Sequence, residues 1–480
     1  MLLVALVVCP MFAWPSAGLL QVSAPPSPAV VSPDSTPESP QEKAPPAPGQ
    51  EATDGRPATQ EPLFNTLIKQ VSLDGQIRLR GEYRNPTTYG NAPVATRADE
   101  LFLTRLRLNL DFKVTSDIDV FVQPQDERQW GQEVAVLADE RNLDLHQGFV
   151  EIRNILGEPL SVKGGRMELS YGDQRLVSPL DWSNIGRAWD GAKIRYAPKD
   201  WWIEGFYTVI KDPLPAPVGL SPVPPATTGG AHDQDFSGIY FSYVGVEAHE
   251  FDLYGFFREF RDGSAVGENG ATGNLIDRTL GARVKGNDLG FDYTAEAMSQ
   301  TGHSASDHVL AYAYVATLGY TFDMAWKPRI GVEYDYASGD RHPTDGKRNT
   351  FDPLFPYGHY YQGFADTFSF KNGKDAALFL RVSPAENVSI HLDWHNFWLA
   401  SDTDGWYNAA GGLIRRDATG QSTSHLGGET DLHTRIALGK FVKIWAGWSH
   451  VFAGPYIRQT QTTGTSRDMN WAFLQLTVDF

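Results

Sequence analysis

The sequence predicts an all-β chain closed into a transmembrane antiparallel β-barrel of about eighteen strands, with long extracellular loops and short periplasmic turns. Three observations predict it. From Leu73 onward, apolar and polar residues alternate with a period of two in segments of about 9–12 residues, the length a tilted strand needs to cross a bilayer. The connections between these segments alternate long and short. Beyond the N-terminus no apolar run reaches the ~18 residues of a membrane-spanning helix.

Composition narrows the chemistry. The 480 residues carry 41 Lys+Arg against 58 Asp+Glu, a formal net charge of −17. The single cysteine, Cys9, lies in a stretch that export would remove. Disulfides, Cys-ligated zinc, iron–sulfur clusters and thiol catalysis are thereby excluded from the processed chain. An acidic chain without a dense Lys/Arg block is also a poor partner for nucleic acid. A soluble all-β protein and an outer-membrane barrel remain.

Three regions follow in order. Residues 1–24 open with the apolar run MLLVALVVCPMFAW and continue with small residues to Ala24, the pattern of a secretory signal peptide. The Lys/Arg segment that normally precedes such a run is missing, so the start codon is expected further upstream. Bulky Val8 before Cys9 argues against a lipoprotein box. Residues 25–62 hold eleven of the 31 prolines and read as a solvated linker unable to bury a core. It is a spacer or a tether to a periplasmic partner. Its six acids and two bases leave −13 for residues 63–480, the barrel.

The strands are assigned by alternation. In the first, near 73–84, Leu73, Ile77, Leu79 and Tyr83 oppose Asp74, Gln76, Arg78, Arg80, Glu82 and Arg84. In the second, near 101–112, Phe102, Leu106, Leu108, Leu110 and Phe112 oppose Arg105, Arg107, Asn109 and Asp111. Further segments fall near 118–125, 146–153, 160–166, 188–196, 201–209, 236–246, 249–261 and 276–286. The remainder fall near 288–299, 309–321, 328–337, 375–383, 388–398, 432–440, 442–452 and 471–480. Long connections such as 85–100, 126–145, 167–187, 210–235, 300–308, 338–374 and 399–431 alternate with short ones such as KVTSD, APKD, Gly286-Asn287 and PAEN. An even strand count with this two-sided rhythm is the outer-membrane plan, and closure removes the exposed edge that an open sheet would present. The terminal strand ends on Phe480, in phase with Leu474, Leu476 and Val478. This resembles the signal by which barrels are handed to the barrel-insertion machinery.

If the apolar parity meets outer-membrane lipid, the other lines a lumen wide enough for water, where charged residues decide what passes. That parity carries Arg78, Arg80, Arg84, Arg105, Arg107, Arg153, Lys193, Arg195, Arg283, Lys285, Arg381, Arg435 and Lys443. It also carries acids, among them Glu151, Glu204, Asp292, Glu296, Glu333, Asp335 and Asp393. A guanidinium fork binds both oxygens of a carboxylate, so an arginine ladder would attract a polyanion and let it move on. Equally, such charges can pair with one another and stiffen the wall.

Several stretches resemble the alginate export family of outer-membrane barrels: QPQDERQWG at 123–131, LHQGFVEI at 145–152 and GGRMELSYGDQRLVSPLDWSNIGRAWDGAKI at 164–194, with EYDYASGD at 333–340 and FDPLFPYGH at 351–359. The resemblance spans roughly residues 70–480. It implies eighteen strands and a passive conduit for an anionic uronate polysaccharide, narrowed by infolded loops at an Arg-rich constriction. Carried onto matching positions, it implies Arg128, Arg166, Arg175, Arg187, Lys193 and Arg195 as conduit residues, with Glu168, Asp173 and Asp190 as carboxylates that hold them in place. The alternative for 167–187 is a structural loop packed through Trp182 and Trp189.

Other signals are weak. Asp402-Thr403-Asp404-Gly405 resembles the opening of a calcium loop but lacks its spaced ligands and later Glu. Calcium among acidic extracellular loops is therefore the one candidate ion, and no cofactor is implied. His391 and His395 share a strand face ~13 Å apart, which suits lumen lining better than one metal. No HExxH, GxSxG, Walker A or GxGxxG pattern occurs. The expected function is a channel for an acidic polysaccharide or related solute. A porin for small solutes is the alternative, and an outer-membrane barrel enzyme is a third class without a nominated catalytic set.

Overall fold

In the computed structural model, the described residues are 71–86, 88–89, 98–130, 143–211, 234–460 and 467–480. The expected signal peptide and linker lie outside them. The alternation becomes twenty-one strands, of which eighteen are staves of one barrel. These are β1 (Val71–Asn85), β2 (Asp99–Lys113), β3 (Ile118–Gln129), β4 (Leu143–Ile152), β5 (Leu160–Met167) and β6 (Trp189–Tyr196). The wall continues with β7 (Trp201–Lys211), β8 (Gln234–Tyr243), β9 (His249–Val266), β10 (Thr272–Asp288), β11 (Phe291–Ser304), β12 (Asp307–Thr321) and β13 (Arg329–Ala337). After β14 (Lys347–Arg348), inside a loop, come β15 (Gly373–Ala385) and β16 (Val388–Leu399). The small hairpin β17 (Gly405–Tyr407) and β18 (Leu413–Arg416) precedes the last staves, β19 (His425–Leu438), β20 (Val442–Ala453) and β21 (Met469–Asp479).

Every stave pairs antiparallel with its neighbours, and β21 returns to β1, with Ile77 opposite Val478 and Arg84 opposite Trp471. Closure satisfies the backbone groups of both would-be edges, which a bilayer demands. The chain end is held by reciprocal Gly75–Phe480 backbone hydrogen bonds of 2.8 and 2.9 Å, on the side of the short turns.

The parity read from the sequence sets the faces. Leu73, Ile77, Tyr314, Leu318, Val332, Leu378, Trp394, Leu432 and Trp448 point outward and are exposed, forming the apolar surface that lipid covers. The inward face departs from expectation, because it is not uniformly polar. Phe206, Phe236, Tyr240, Tyr254 and Phe256 face inward and are buried in one core with loop residues Leu169, Tyr171, Leu176, Val177, Phe351 and Leu354. A second core joins Trp182, Phe364 and Phe368 to Trp471 and Phe473. Loops fold into the lumen and give these side chains an apolar partner.

Several boundaries also move; for instance, β9 runs to Val266 and β10 starts at Thr272. The turn expected at Gly286-Asn287 falls at Leu289-Gly290, since Asp288 pairs with Phe291. The expected loop 300–308 is the hairpin end of β11 and β12, with Ser304 opposite Asp307. Beyond the bilayer a strand needs no apolar alternation, so this polar stretch hid its pairing. Similarly β19 begins at His425, where Gly427, Gly428 and Glu429 read as loop but are buried against infolded chain.

Candidate functional site

Two connections on the long-loop side fold inward, residues 168–188 between β5 and β6 and residues 338–372 between β13 and β15. They are knit together by a Val177–Phe355 bridge and by Ser178 N donating to Phe355 O at 3.0 Å. The Trp182 and His359 rings stack at 3.8 Å.

The arginines of β1 and β2 meet the first of these loops. Arg78 donates to Asp181 O at 2.5 Å and Ser183 O at 2.7 Å, and Arg80 to Trp182 O at 2.6 Å while lying over that ring. Arg105 pairs with the Asp181 carboxylate at 2.8 Å, and Arg107 reaches Asp181 and Ile185 O, each at 3.2 Å. All four are buried. They neutralise carbonyls that have left the sheet ladder and anchor the loop to the wall. Gly186 permits the approach: its φ is +79°, and a Cβ there would stand 2.7 Å from Arg107 Nη2. Burial alone would raise the Asp181 carboxyl, yet Arg105, Arg78 and Arg107 hold it below the usual carboxylate range.

The opposite end of the loop is anchored by the other resemblance-derived residues. Arg175 is buried between Asp335 at 2.7 Å and Glu333 at 2.8 Å. Asp173 bonds Lys285 at 2.8 Å and Arg283 at 3.2 Å; against its burial, these cations hold its carboxyl low. Glu168 bonds His146 at 2.8 Å and lies 3.7 Å from Arg107. Lys193 and Arg195 face the lumen and share Glu204, at 3.2 and 3.7 Å.

Two placements correct the expectation of conduit lining. Arg166 stands in phase with outward-facing Val162 and pairs at 2.8 Å with Asp190, itself in phase with exposed Ile194. Arg128 likewise takes the outward parity of β3 and bonds Asp126 at 2.9 Å. Motif matching alone could not tell which parity each residue took. The Asp402–Gly405 segment is also structural: buried Asp404 accepts from Thr350 at 2.6 Å and pairs with Arg416 at 2.8 Å.

The lumen acids are largely engaged. Tyr171, Tyr240 and Tyr254 donate to Glu204, Asp252 and Glu296 at 2.6, 2.7 and 2.6 Å. Arg258 binds Asp277, and His395 binds Asp375 at 2.7 Å. Two cations differ. Arg381 and Arg435 are exposed on the inward parity, and among the described residues neither has a carboxylate within salt-bridge distance. Arg381 donates to His391 at 3.3 Å, and Arg435 lies 4.3 Å over the Trp445 ring. The register sets Arg329, Arg381, His391 and His433 side by side across β13, β15, β16 and β19. Sequence parity had placed Arg381 and Arg435 in the lumen; only the loop contacts separate them from the anchoring arginines.

The sequence profile described as alginate export matches residues 69–472. The chain belongs to the alginate export family. It matches no curated protein sequence. Among solved structures it is similar to barrels of Pseudomonas aeruginosa. OccK11 (OpdR) has a TM-score of 0.54 at 12% identity, covering 85% of this chain and 96% of that one. For OpdO the values are 0.55, 11%, 87% and 99%, and for the outer membrane protein OprD 0.53, 11%, 85% and 93%. At such identities the likeness speaks for the fold. This alginate export family member is a closed eighteen-strand barrel of the outer membrane and a channel, surrounded by lipid and open to polysaccharide or solute cargo.

Proposed function

We propose that the barrel is a passive conduit for an anionic, uronate-bearing polysaccharide. The observation that supports this reading is the pair Arg381 and Arg435, exposed to the lumen without carboxylate partners among the described residues. Most lumen acids are engaged by Arg, Lys, His or Tyr, and Glu429 and Asp431, which have no such bond among the described residues, are fully buried away from the channel. This resolves the difficulty that an acidic barrel should repel a polyanion. The potential a cargo meets is set by unpaired charges in a low-dielectric channel, not by the net charge of the chain. Weakly held, exposed guanidinium groups bind a carboxylate and release it to the next. No covalent step is involved, so direction comes from synthesis or from an inner-membrane partner.

A second reading, a porin for small acidic solutes, is favoured by the infolded loops, which border two cavities of about 410 Å³, the size of a small-molecule site. The refolded protein in a planar bilayer decides between them. The conduit reading expects anion preference under a salt gradient and block by long oligouronates but not by neutral sugars. Arg381→Ala with Arg435→Ala should remove most of both. Passage of monomeric acids without block by long chains would favour the porin. Cation preference without block would overturn both readings.

A further inference from the structure

The 338–372 loop borders two cavities of equal size on the long-loop side, and their charges differ. One, of about 410 Å³, is lined by Arg258, Asp277, Gln300, Arg348 and Asp352. There Arg258 binds both Asp277 and Asp352, and Arg348 donates to Ser304 at 2.9 Å. Two cations face two carboxylates, and the walls are neutral.

The other, also about 410 Å³, is lined by Arg84, Arg187, Trp182, His359, Asp366 and Asn408, with further residues of the same loops. Arg187 donates to Pro356 O at 2.8 Å and Ser178 O at 3.4 Å, and among the described residues it has no carboxylate partner. Burial without a counter-ion pulls its guanidinium down to about 10. Arg84 donates to Ala365 O at 2.6 Å and stands 3.9 Å from Asp366, whose carboxyl bonds His359 at 2.9 Å. Two guanidinium groups therefore face one carboxylate, which is already shared with an imidazole. Three polar atoms of the wall residues, Tyr89 Oη, His359 Nε2 and Thr367 Oγ1, are buried without a hydrogen-bond partner among the described residues. Buried polar groups are ordinarily paired, and a ligand rich in hydroxyls supplies partners of both kinds.

We propose that the cavity walled by Arg84 and Arg187 is a binding subsite for a sugar acid, holding a carboxylate-bearing unit on the long-loop side, while the Arg258–Arg348 cavity takes none. The volume lies in the range of small-molecule sites, about 300–1,000 Å³. The charge excess selects an anion, and the carbonyl-bound Arg187 is held in place to receive one. The proposal rests on the conduit reading for its role, but not for its chemistry.

The test is binding of diglucuronate to the refolded full-length protein, by calorimetry in detergent and by current block from the long-loop side of a bilayer. Arg187→Ala should weaken both roughly ten- to hundredfold, as expected when a charge-assisted hydrogen bond is lost; Arg348→Ala should change neither. Because Arg187 also holds loop carbonyls, Ala410→Asp is the second variant. It adds a repelling carboxylate to an exposed position of the same wall and should abolish binding in a barrel that still shows its heat-modifiable gel shift. Diglucuronate binding that survives Ala410→Asp, or that falls equally with Arg348→Ala, overturns the subsite. If the channel is anion-selective yet binds no diglucuronate, the subsite falls and the conduit stands. Binding lost on Ala410→Asp in a cation-selective barrel would support the subsite and remove the conduit.

Discussion

Removing Arg175 should release the infolded 168–188 loop without unfolding the barrel. Its guanidinium makes charge-assisted bonds to Asp335 at 2.7 Å and Glu333 at 2.8 Å, and lies over the Tyr361 ring at 3.9 Å. Two such bonds at about 1.5–3 kcal/mol each agree with the roughly 3–5 kcal/mol lost when one partner of a buried ion pair is removed. In Arg175→Met the two carboxylates would stay buried, with Asp335 directly opposite Asp375, so the loop should undock to let water in. The docking equilibrium should shift by about 10²- to 10⁴-fold, less whatever the β1 and β2 arginines retain. Hydrogen exchange reads this at the Ser178 amide, bonded to Phe355 O, and the Arg187 amide, bonded to Pro179 O; open-channel noise should rise in parallel. Adding Glu333→Gln and Asp335→Asn should recover much of the protection by removing the stranded charges. Unchanged exchange at Ser178 in a folded Arg175→Met barrel would refute the reasoning.

Three further outcomes are expected. Gly186→Ala, at φ +79° and with its Cβ 2.7 Å from Arg107 Nη2, should loosen the same loop by about 1–2 kcal/mol, seen as faster exchange at the Arg187 amide. Arg166→Ala and Arg128→Ala remove outward-facing pairs worth about 0–1 kcal/mol; both should leave the reversal potential unchanged, and a shift as large as that of Arg381→Ala would return them to the lumen. Glu268, at the tip between β9 and β10, accepts from Gly346 N at 2.8 Å; burial and the nearby Asp340 and Asp307 push its carboxyl up to about 7. Because the folded value is raised, the packing of this tip against Asp340 and Asp307 is favoured below the unfolded carboxylate range and weakens as pH rises through about 7, although the Gly346 N–H bond by itself favours the ionised form. Exchange at the Gly346 amide, corrected for intrinsic rate, should accelerate between pH 5.5 and 8.5, and Glu268→Gln should flatten that dependence.

The parts of the fold that water and lipid dictate locally were legible in the sequence. Phe102, Leu106 and Leu108 against Arg105 and Arg107 gave both a strand and its two faces, because a pleated chain has a period of two wherever it is. The hairpin of β11 and β12 was harder to see, since outside the bilayer its outer face meets solvent and its inner face buries polar residues, Gln300, Ser304 and Asp307, so no apolar alternation marks it. The candidate site was legible only as a set. Parity assigned Arg78, Arg80, Arg105, Arg107, Arg381 and Arg435 to the lumen, but it could not distinguish an arginine that grips Asp181 O or Trp182 O from one that faces the channel.

By itself, then, the sequence determined the strand number, the lipid face and the inward direction of most charges, all set by alternation among neighbours within a few residues. The even strand count implied the closure that β21 and β1 make across the whole chain. Tertiary structure decided which charges remain available. Arg175 meets Glu333 across 158 residues of chain and Asp335 across 160, and Arg78 meets Ser183 across 105. A guanidinium's free valence depends on which distant loop folds back to it. That is settled by the packing of Trp182 and Val177 into the two lumenal cores, and no local pattern records it.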